Sequence, residues 1–248
     1  MGAVDYAQMA LLAAVASLCQ NLTGFAFALI FVGAAGALQL MPIADAANVA
    51  SVLSAVNGFI YLRSHSFEPR WDLLKPMLAS GVAGVGVGLA LLAWLSGNTL
   101  HGLRVVLGVS VIACAVLLLA RSKPRATPSP PGVPWGVGLV SGVLGGLFST
   151  AGPPIVYHLY RQPLPPSLIR QCLVALFTVL ALVRLIAVAL AGALPWHTLV
   201  ASALALPVVT AVTWWQARHP LQLPVVLVRW LVCTLLLAAG ASLLAAAW

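Results

Sequence analysis

Arg184 lies inside an apolar run, Leu173 to Leu194, and a guanidinium at that depth is costly enough to mark a functional site by default. The carboxylates of the chain are Asp5, Asp45, Glu68 and Asp72, none of them within an apolar segment that could bring it to Arg184. A bound anion would supply the missing charge through bidentate, charge-assisted hydrogen bonds. Snorkelling, or contact with carbonyls at a helix end, is the competing role. Arg170 opens the same run and suits either the mouth of a cavity or an ordinary cytoplasmic flank.

Two further groups of residues carry hydrogen-bonding chemistry. Gln20, Asn21, Thr23, Asn48, Ser51, Ser54 and Asn57 fall in or near the first two apolar segments, with Asn48, Ser51 and Ser54 about one helical turn apart. Such a stripe can hold an anion's oxygens, or bind membrane helices to one another. Ser149, Thr150 and Gly152 stand in FSTAGPP, where hydroxyls adjoin a Gly-Pro-Pro stop; this break is the stronger candidate, against a turn that serves packing alone.

Other chemistry finds little support. Cys19, Cys114, Cys172 and Cys233 lie in apolar segments without CxxC or Cys/His spacing and read as inert buried thiols. His65, His101, His158, His197 and His219 have no ligand partner at useful spacing and are expected in loops or at helix ends, so neither metal nor cofactor is expected. No nucleophile–base constellation suggests an enzyme, no GxxxxGK[ST] offers ATP hydrolysis, and intramembrane Asp or Glu for binding a coupling cation is absent.

The elements that must position these residues follow from composition. Of 248 residues 62% are hydrophobic and 6% charged, against about a quarter charged in soluble chains. Apolar stretches near the roughly 20 residues that cross a bilayer run almost end to end. The formal charge of +8 comes from basic residues between those stretches, which points to topology and anionic headgroups or solutes rather than nucleic acid. Asp5 precedes any basic residue, so the first segment is expected to be retained rather than cleaved as a signal peptide.

Breaks at Leu40 to Asp45, Arg63 to Lys75, Ser96 to His101, Arg121 to Pro134, Arg161 to Ser167, Gly192 to Trp196 and Arg218 to Pro224 leave eight apolar segments. The Pro-rich stretch RSKPRATPSPPGVP separates an N-terminal membrane repeat, 1–120, from a C-terminal one, 135–248, with 121–134 as a cytoplasmic linker. Each half starts with a long segment broken by small residues and continues with three ordinary ones. If those first segments cross once, Arg161, Arg170, Arg218 and Arg229 face away from Arg63, Arg70, Lys75, Arg121, Lys123 and Arg125. If each dips in and returns, all these cations share the cytoplasmic side, as short loops prefer. The halves are then inverted, both termini lie outside, and the solute site falls beside the two breaks. Helix N-termini there would offer N–H groups to an anion. The expected fold is an all-α integral membrane protein of two inverted repeats. Trp71, Trp94, Trp196, Trp214, Trp215 and Trp248 suit membrane-interface belts.

GGLFSTAGPPIVYHL in the second half and TGFAFALIFVGAAGAL in the first resemble the paired motifs of the 4-toluene sulfonate uptake permease family, also called the TauE/SafE sulfite exporter family. The resemblance covers nearly the whole chain, including the broken first segments and the Arg that follows the second motif, here Arg170. It implies a carrier in a bacterial-type inner membrane for sulfite, sulfonates or related small anions, without fixing direction. An organic sulfonate such as 4-toluenesulfonate leads, with sulfite or another organic anion as the alternative and a non-transporting membrane scaffold as the rival class. A homo-oligomer and contact with membrane lipid are both compatible with this reading. Gly24-Phe25-Ala26-Phe27 stands where many relatives carry denser glycine. Phe25 and Phe27 would then wall the pocket for a ring-bearing solute, or simply pack. The expected substrate contacts are Gln20, Gly24, Phe25, Phe27, Asn48, Ser51, Asn57, Ser149, Thr150, Gly152, Arg170 and Arg184.

Overall fold

The computed structural model describes residues 3–65, 70–98, 100–119, 129–219 and 225–245. Ten α-helices occupy them: α1 Ala3–Thr23, α2 Phe27–Ala37, α3 Ile43–Arg63, α4 Trp71–Asn98, α5 Leu100–Leu119, α6 Val133–Phe148, α7 Gly152–Tyr160, α8 Pro166–Leu190, α9 Trp196–Arg218 and α10 Val225–Ala245. No strand occurs among the described residues. The expected eight segments become ten helices because the first segment of each half is divided, α1 from α2 and α6 from α7. Most of the linker, residues 121–128, lies outside the described residues, as does Trp248.

Local chemistry sets these boundaries. The chain leaves α1 at Gly24, whose φ of 85° suits a residue without Cβ. The Thr23 hydroxyl donates to the Cys19 carbonyl at 2.7 Å and accepts from the Phe25 N–H at 3.3 Å, closing the end of α1. Pro42, Pro165 and Pro195 precede α3, α8 and α9, where a fixed φ and a missing N–H interrupt no helical hydrogen bond.

Four helices, Ile43–Arg63, Trp71–Ser96, Pro166–Leu190 and Trp196–Arg218, are long and apolar enough to cross a membrane. The bundle wears apolar residues outside, among them Val87, Trp94, Val109, Ile186 and Leu204, all more than half exposed, and keeps its polar side chains within. That inversion of the soluble pattern is what lipid contact requires.

Packing joins the two halves throughout. The α4–α6 pair is the most extensive, followed by α5–α10, α3–α8, α3–α9 and α1–α9. Along α4–α6, Gly81, Gly84 and Gly88 meet Gly138, Gly142 and Gly146, and a Cβ at Gly84, Gly88, Gly142 or Gly146 would strike facing backbone. Small residues at four-residue spacing let helix backbones touch, which replaces the hydrophobic drive that lipid removes. The contacts rise together in number along both helices, so α4 and α6 run parallel; α1 and α9 also run parallel, since Ser17 meets Thr213 and, further along, Leu22 shares a cavity with Gln216 and Ala217.

One end of the bundle gathers the ends of α1, α3, α7 and α9 with the start of α8: Tyr61, His65, Arg170 and Gln216 share a cavity there, and the Tyr160 hydroxyl reaches the Thr23 carbonyl at 3.3 Å. The opposite end joins the starts of α3 and α9 through His197 and Asp45, 2.9 Å apart. His158 stands in the last turn of α7, at a helix end as expected. It is buried, with its ring 3.2 Å from the Gln162 amide nitrogen.

Candidate transport site

The two helix breaks face each other at the centre of the molecule. Between them lies a cavity of about 20 Å³, lined by Gln20 of α1, Phe25 to Leu29 of the first break and α2, Ser54 of α3, Ser149 to Gly152 of the second break, and Phe177 of α8. One water needs roughly 10–15 Å³ on this measure, so the space admits a water and no sulfonate without enlargement. Two of its polar groups are buried without a hydrogen-bond partner, Gln20 Nε2 and Thr150 Oγ1. Buried polar groups are nearly always paired, and two orphans on one cavity wall are the mark of a place built for something else.

The breaks contribute differently. Phe27, Ala28 and Leu29, all on the cavity wall, form the first turn of α2, whose leading N–H groups have no intrahelical acceptor. Ala26 caps that helix with φ 83° and without a side-chain hydrogen bond. The positive end of the helix dipole therefore points at the cavity. In α7 the turn after Gly152 begins Pro153-Pro154, which removes two of the N–H groups an anion could use. The second break offers hydroxyls instead.

Arg184 secures that second break. Fully buried, it donates from Nε to the Gly146 carbonyl at 3.0 Å. Its Nη1 donates to the Ala47 carbonyl at 3.2 Å, Asn48 Oδ1 at 2.9 Å and Ser51 Oγ at 2.9 Å. Ser51 in turn lies 3.0 Å from Ser149 Oγ, while Asn48 Nδ2 donates to the Ala193 carbonyl at 3.4 Å. The last carbonyls of α6 are left over by helix geometry, and Arg184 answers one of them while linking α3, α6 and α8. Its Nη2 has no partner, and no carboxylate approaches it among the described residues. One uncompensated positive charge thus stands a hydroxyl relay away from the cavity.

The remaining expected contacts divide. Gln20, Phe25, Phe27, Ser149, Thr150 and Gly152 line the central cavity. Asn48 and Ser51 reach it only through Arg184 and Ser149. Gly24 packs on α8, where a Cβ would sit 2.8 Å from the Arg170 carbonyl oxygen. Asn57 joins a separate buried cluster in which it donates to Asn21 Oδ1 at 3.0 Å and accepts from Ser17 Oγ at 2.7 Å and from Thr213. Arg170 lies in a second cavity near the end of the bundle. The α3 stripe therefore serves three sites in turn: Asn48 and Ser51 the Arg184 clamp, Ser54 the cavity, Asn57 the cluster. Sequence reading missed Ser17, Phe177, Thr213 and Gln216, each a lone residue in an apolar helix. All four cysteines are buried and free, as expected.

Two interrupted helices that meet around a buried polar cavity, inside a bundle clad in apolar side chains, define the class: a membrane carrier. The chain belongs to the sulfite exporter TauE/SafE family, whose profile matches residues 9–243; its members are transporters, not enzymes. It is 31% identical over 225 residues to a Cupriavidus necator protein described as a probable sulfite/organosulfonate exporter TauE, covering 91% of this chain and 88% of that one. No solved structure matches the chain.

Proposed function

We propose that the protein is a secondary transporter of small sulfur-containing anions, an organic sulfonate such as 4-toluenesulfonate foremost, and that it exports them across the inner membrane. The observation that carries this is the pair of unpartnered donors, Gln20 Nε2 and Thr150 Oγ1, on one cavity wall. The α2 amides face the same space, and the Arg184 charge stands behind it. All are donors or positive, which suits a sulfonate's three acceptor oxygens. Phe25, Phe27 and Phe177 supply an apolar side for the organic group. The outward direction comes from the description of the Cupriavidus necator relative.

Transport proceeds by alternating access between inverted halves of five helices each, 1–120 and 135–248, joined by the cytoplasmic linker. Equivalent neighbours support this, since across the junction of the halves α4–α6 answers α9–α1, and α2–α10 answers α7–α5. So does the sense of the broken segments: α1 runs alongside α9 and α6 alongside α4, while α4 and α9 follow their neighbours from opposite ends of the bundle. Each broken segment dips in and returns, the basic helix ends face the cytoplasm, and both termini face outward. The closed fit of the cavity supports motion as well, because a sulfonate fits only when the halves part. That tight fit also favours sulfite as the second reading, the smallest anion of the class.

The test is thermal stabilisation of purified protein by 4-toluenesulfonate, ethanesulfonate, sulfite, sulfate and benzoate, followed by efflux from loaded proteoliposomes. A ligand of the folded state raises the melting temperature. Sulfonates should stabilise the protein and leave the vesicles, and Thr150→Val should weaken both responses. Stabilisation by sulfite alone would select the second reading. Equal response to benzoate would remove sulfur specificity, and no response to any of them would overturn the proposal.

A further inference from the structure

A second cavity, of about 60 Å³, opens near the end of the bundle that gathers the basic helix termini. Asn21, Tyr61, His65, Arg170, Thr213 and Gln216 line it. It is three times the volume of the central space and polar over much of its wall. Arg170 brings a permanent positive charge, and among the described residues no carboxylate pairs with it. Gln216 is 8% exposed, and its Oε1 has no hydrogen-bond partner. Turning that amide about its last bond presents Nε2 in place of Oε1, so the group can donate to an anion. As at the central cavity, a buried polar atom is left open near an arginine that meets no carboxylate among the described residues.

The two spaces are built from the same helices. α1 contributes Gln20 to one and Asn21 to the other. α3 contributes Ser54 and then Tyr61, and α8 contributes Phe177 and Arg170, each pair seven residues apart. Seven residues of helix span about 10 Å, and two helices that cross in opposite senses give the same separation. Gly24, at the first break, packs directly on the backbone of Arg170, so a shift of the break is transmitted to the outer space.

We propose that this cavity is a second anion-binding station, one that receives the same class of small sulfur oxyanion from the basic face of the carrier before it passes to the central site. The proposal rests on the transport reading above. Arg170 and the Gln216 amide hold the oxyanion, and the Tyr61 and Thr213 hydroxyls stand beside it. Solute reaching the centre from the opposite face does not cross this station, so its loss acts on one direction.

The experiment measures zero-trans transport of 4-toluenesulfonate in both directions, using proteoliposomes with the protein in one known orientation. Unaltered protein is compared with Arg170→Gln, Arg170→Lys and Gln216→Leu. One lost charge-assisted hydrogen bond is worth about tenfold in affinity. The expected result is that the ratio of half-saturation concentrations, basic face over opposite face, rises about tenfold in Arg170→Gln and severalfold in Gln216→Leu. Arg170→Lys, which keeps the charge, should recover part of the Arg170→Gln loss. Thermal melting identifies any variant that fails to fold, and Gln216→Leu, remote from the Gly24 contact, reports on the station if Arg170→Gln unfolds. An unchanged ratio in a folded Gln216→Leu or Arg170→Gln protein overturns the station while normal transport by the parent leaves the carrier reading standing. Absence of sulfonate transport by the parent overturns both.

Discussion

The two helix breaks, between α1 and α2 and between α6 and α7, meet the same problem by opposite means. Both expose backbone in the interior of a membrane bundle, where each unsatisfied group costs several kcal/mol. The first break, Gly24 to Ala26, closes its own donors and acceptors through Thr23 and a glycine turn, then presents the bare N-terminus of α2 to the cavity. The second, Ser149 to Ala151, adopts a left-handed turn at Ser149, and Pro153 and Pro154 deprive the next helix of amides. It relies on Arg184 and Ser51 of other helices to hold it. One break is a self-contained donor and the other a clamped hydroxyl carrier. The first break presents donors, and the second is held in place by its neighbours.

Removing the clamp should have the largest effect. Arg184→Gln leaves the Gly146 carbonyl and Asn48 Oδ1 without their partner in the interior, a loss of roughly 3 kcal/mol for a buried charged hydrogen-bond network. Melting should fall sharply and stabilisation by sulfonate should disappear. Arg184→Lys keeps the charge but cannot span Gly146 and Asn48 together, so it should recover less than half of the loss. An Arg184→Gln protein as stable as its parent, with sulfonate binding intact, would show that the second break holds itself.

Next in size is a matched pair of substitutions at the breaks. Gly24→Ala forces an alanine to φ 85° and pushes its Cβ into the Arg170 backbone, at a cost of about 2 kcal/mol or more. Ser149→Gly relieves a left-handed residue of its Cβ, a gain of about 0.5–1 kcal/mol, and gives up one hydrogen bond of similar worth to Ser51. Chemical denaturation should therefore place Ser149→Gly within about 1 kcal/mol of the parent and Gly24→Ala well below it. Equal losses would mean that the breaks carry strain alike.

How far this division was legible in the sequence differs from residue to residue. The breaks themselves stood out, because TGFAF and STAGPP put small and turn-forming residues inside otherwise continuous apolar runs. Arg184 also stood out, since a charge at that depth is rare whatever it does. Its direction was not legible: sequence gives depth along a helix, while the side chain's choice between a cavity and the Gly146 carbonyl depends on how α6 lies against α8. Ser17 and Thr213 were invisible for a related reason. They meet 196 positions apart in sequence, and a single hydroxyl in an apolar helix has no local pattern to mark it. Asn48 to Asn57 was read as one stripe, and it is one face of α3, but three different helices lie along that face.

Loss of the cavity's own donors should be visible in binding rather than in folding. Thr150→Val removes a buried hydroxyl that has no partner in the protein, and Gln20→Leu removes an unpartnered Nε2 together with one long contact, 3.4 Å, from the Ser54 hydroxyl to Oε1, so stability should stay close to the parent's. Sulfonate affinity in equilibrium dialysis should fall about tenfold for each, the value of a hydrogen bond to a charged ligand. If Gln20→Leu weakened binding while Thr150→Val did not, the site would belong to the first break alone.

The smallest effect tests whether the prolines are what separates the breaks. Pro153→Ala restores an N–H in the first turn of α7, directly after the cavity residue Gly152. That amide has no helical acceptor available, so an anion in the cavity is its natural partner. One more donor at a helix N-terminus contributes about 0.3–1 kcal/mol, or roughly a two- to fivefold gain in sulfonate affinity. Loss of the proline also frees the unfolded chain, so melting without ligand should drop by about 0.4–1 kcal/mol. Tighter binding in a less stable protein would show that Pro153 holds the second break rigid at the expense of its capacity to donate. An affinity that stays the same or falls would assign the contrast to the Arg184 clamp, which holds the second break through Gly146 and Ser51 whether or not α7 carries amides.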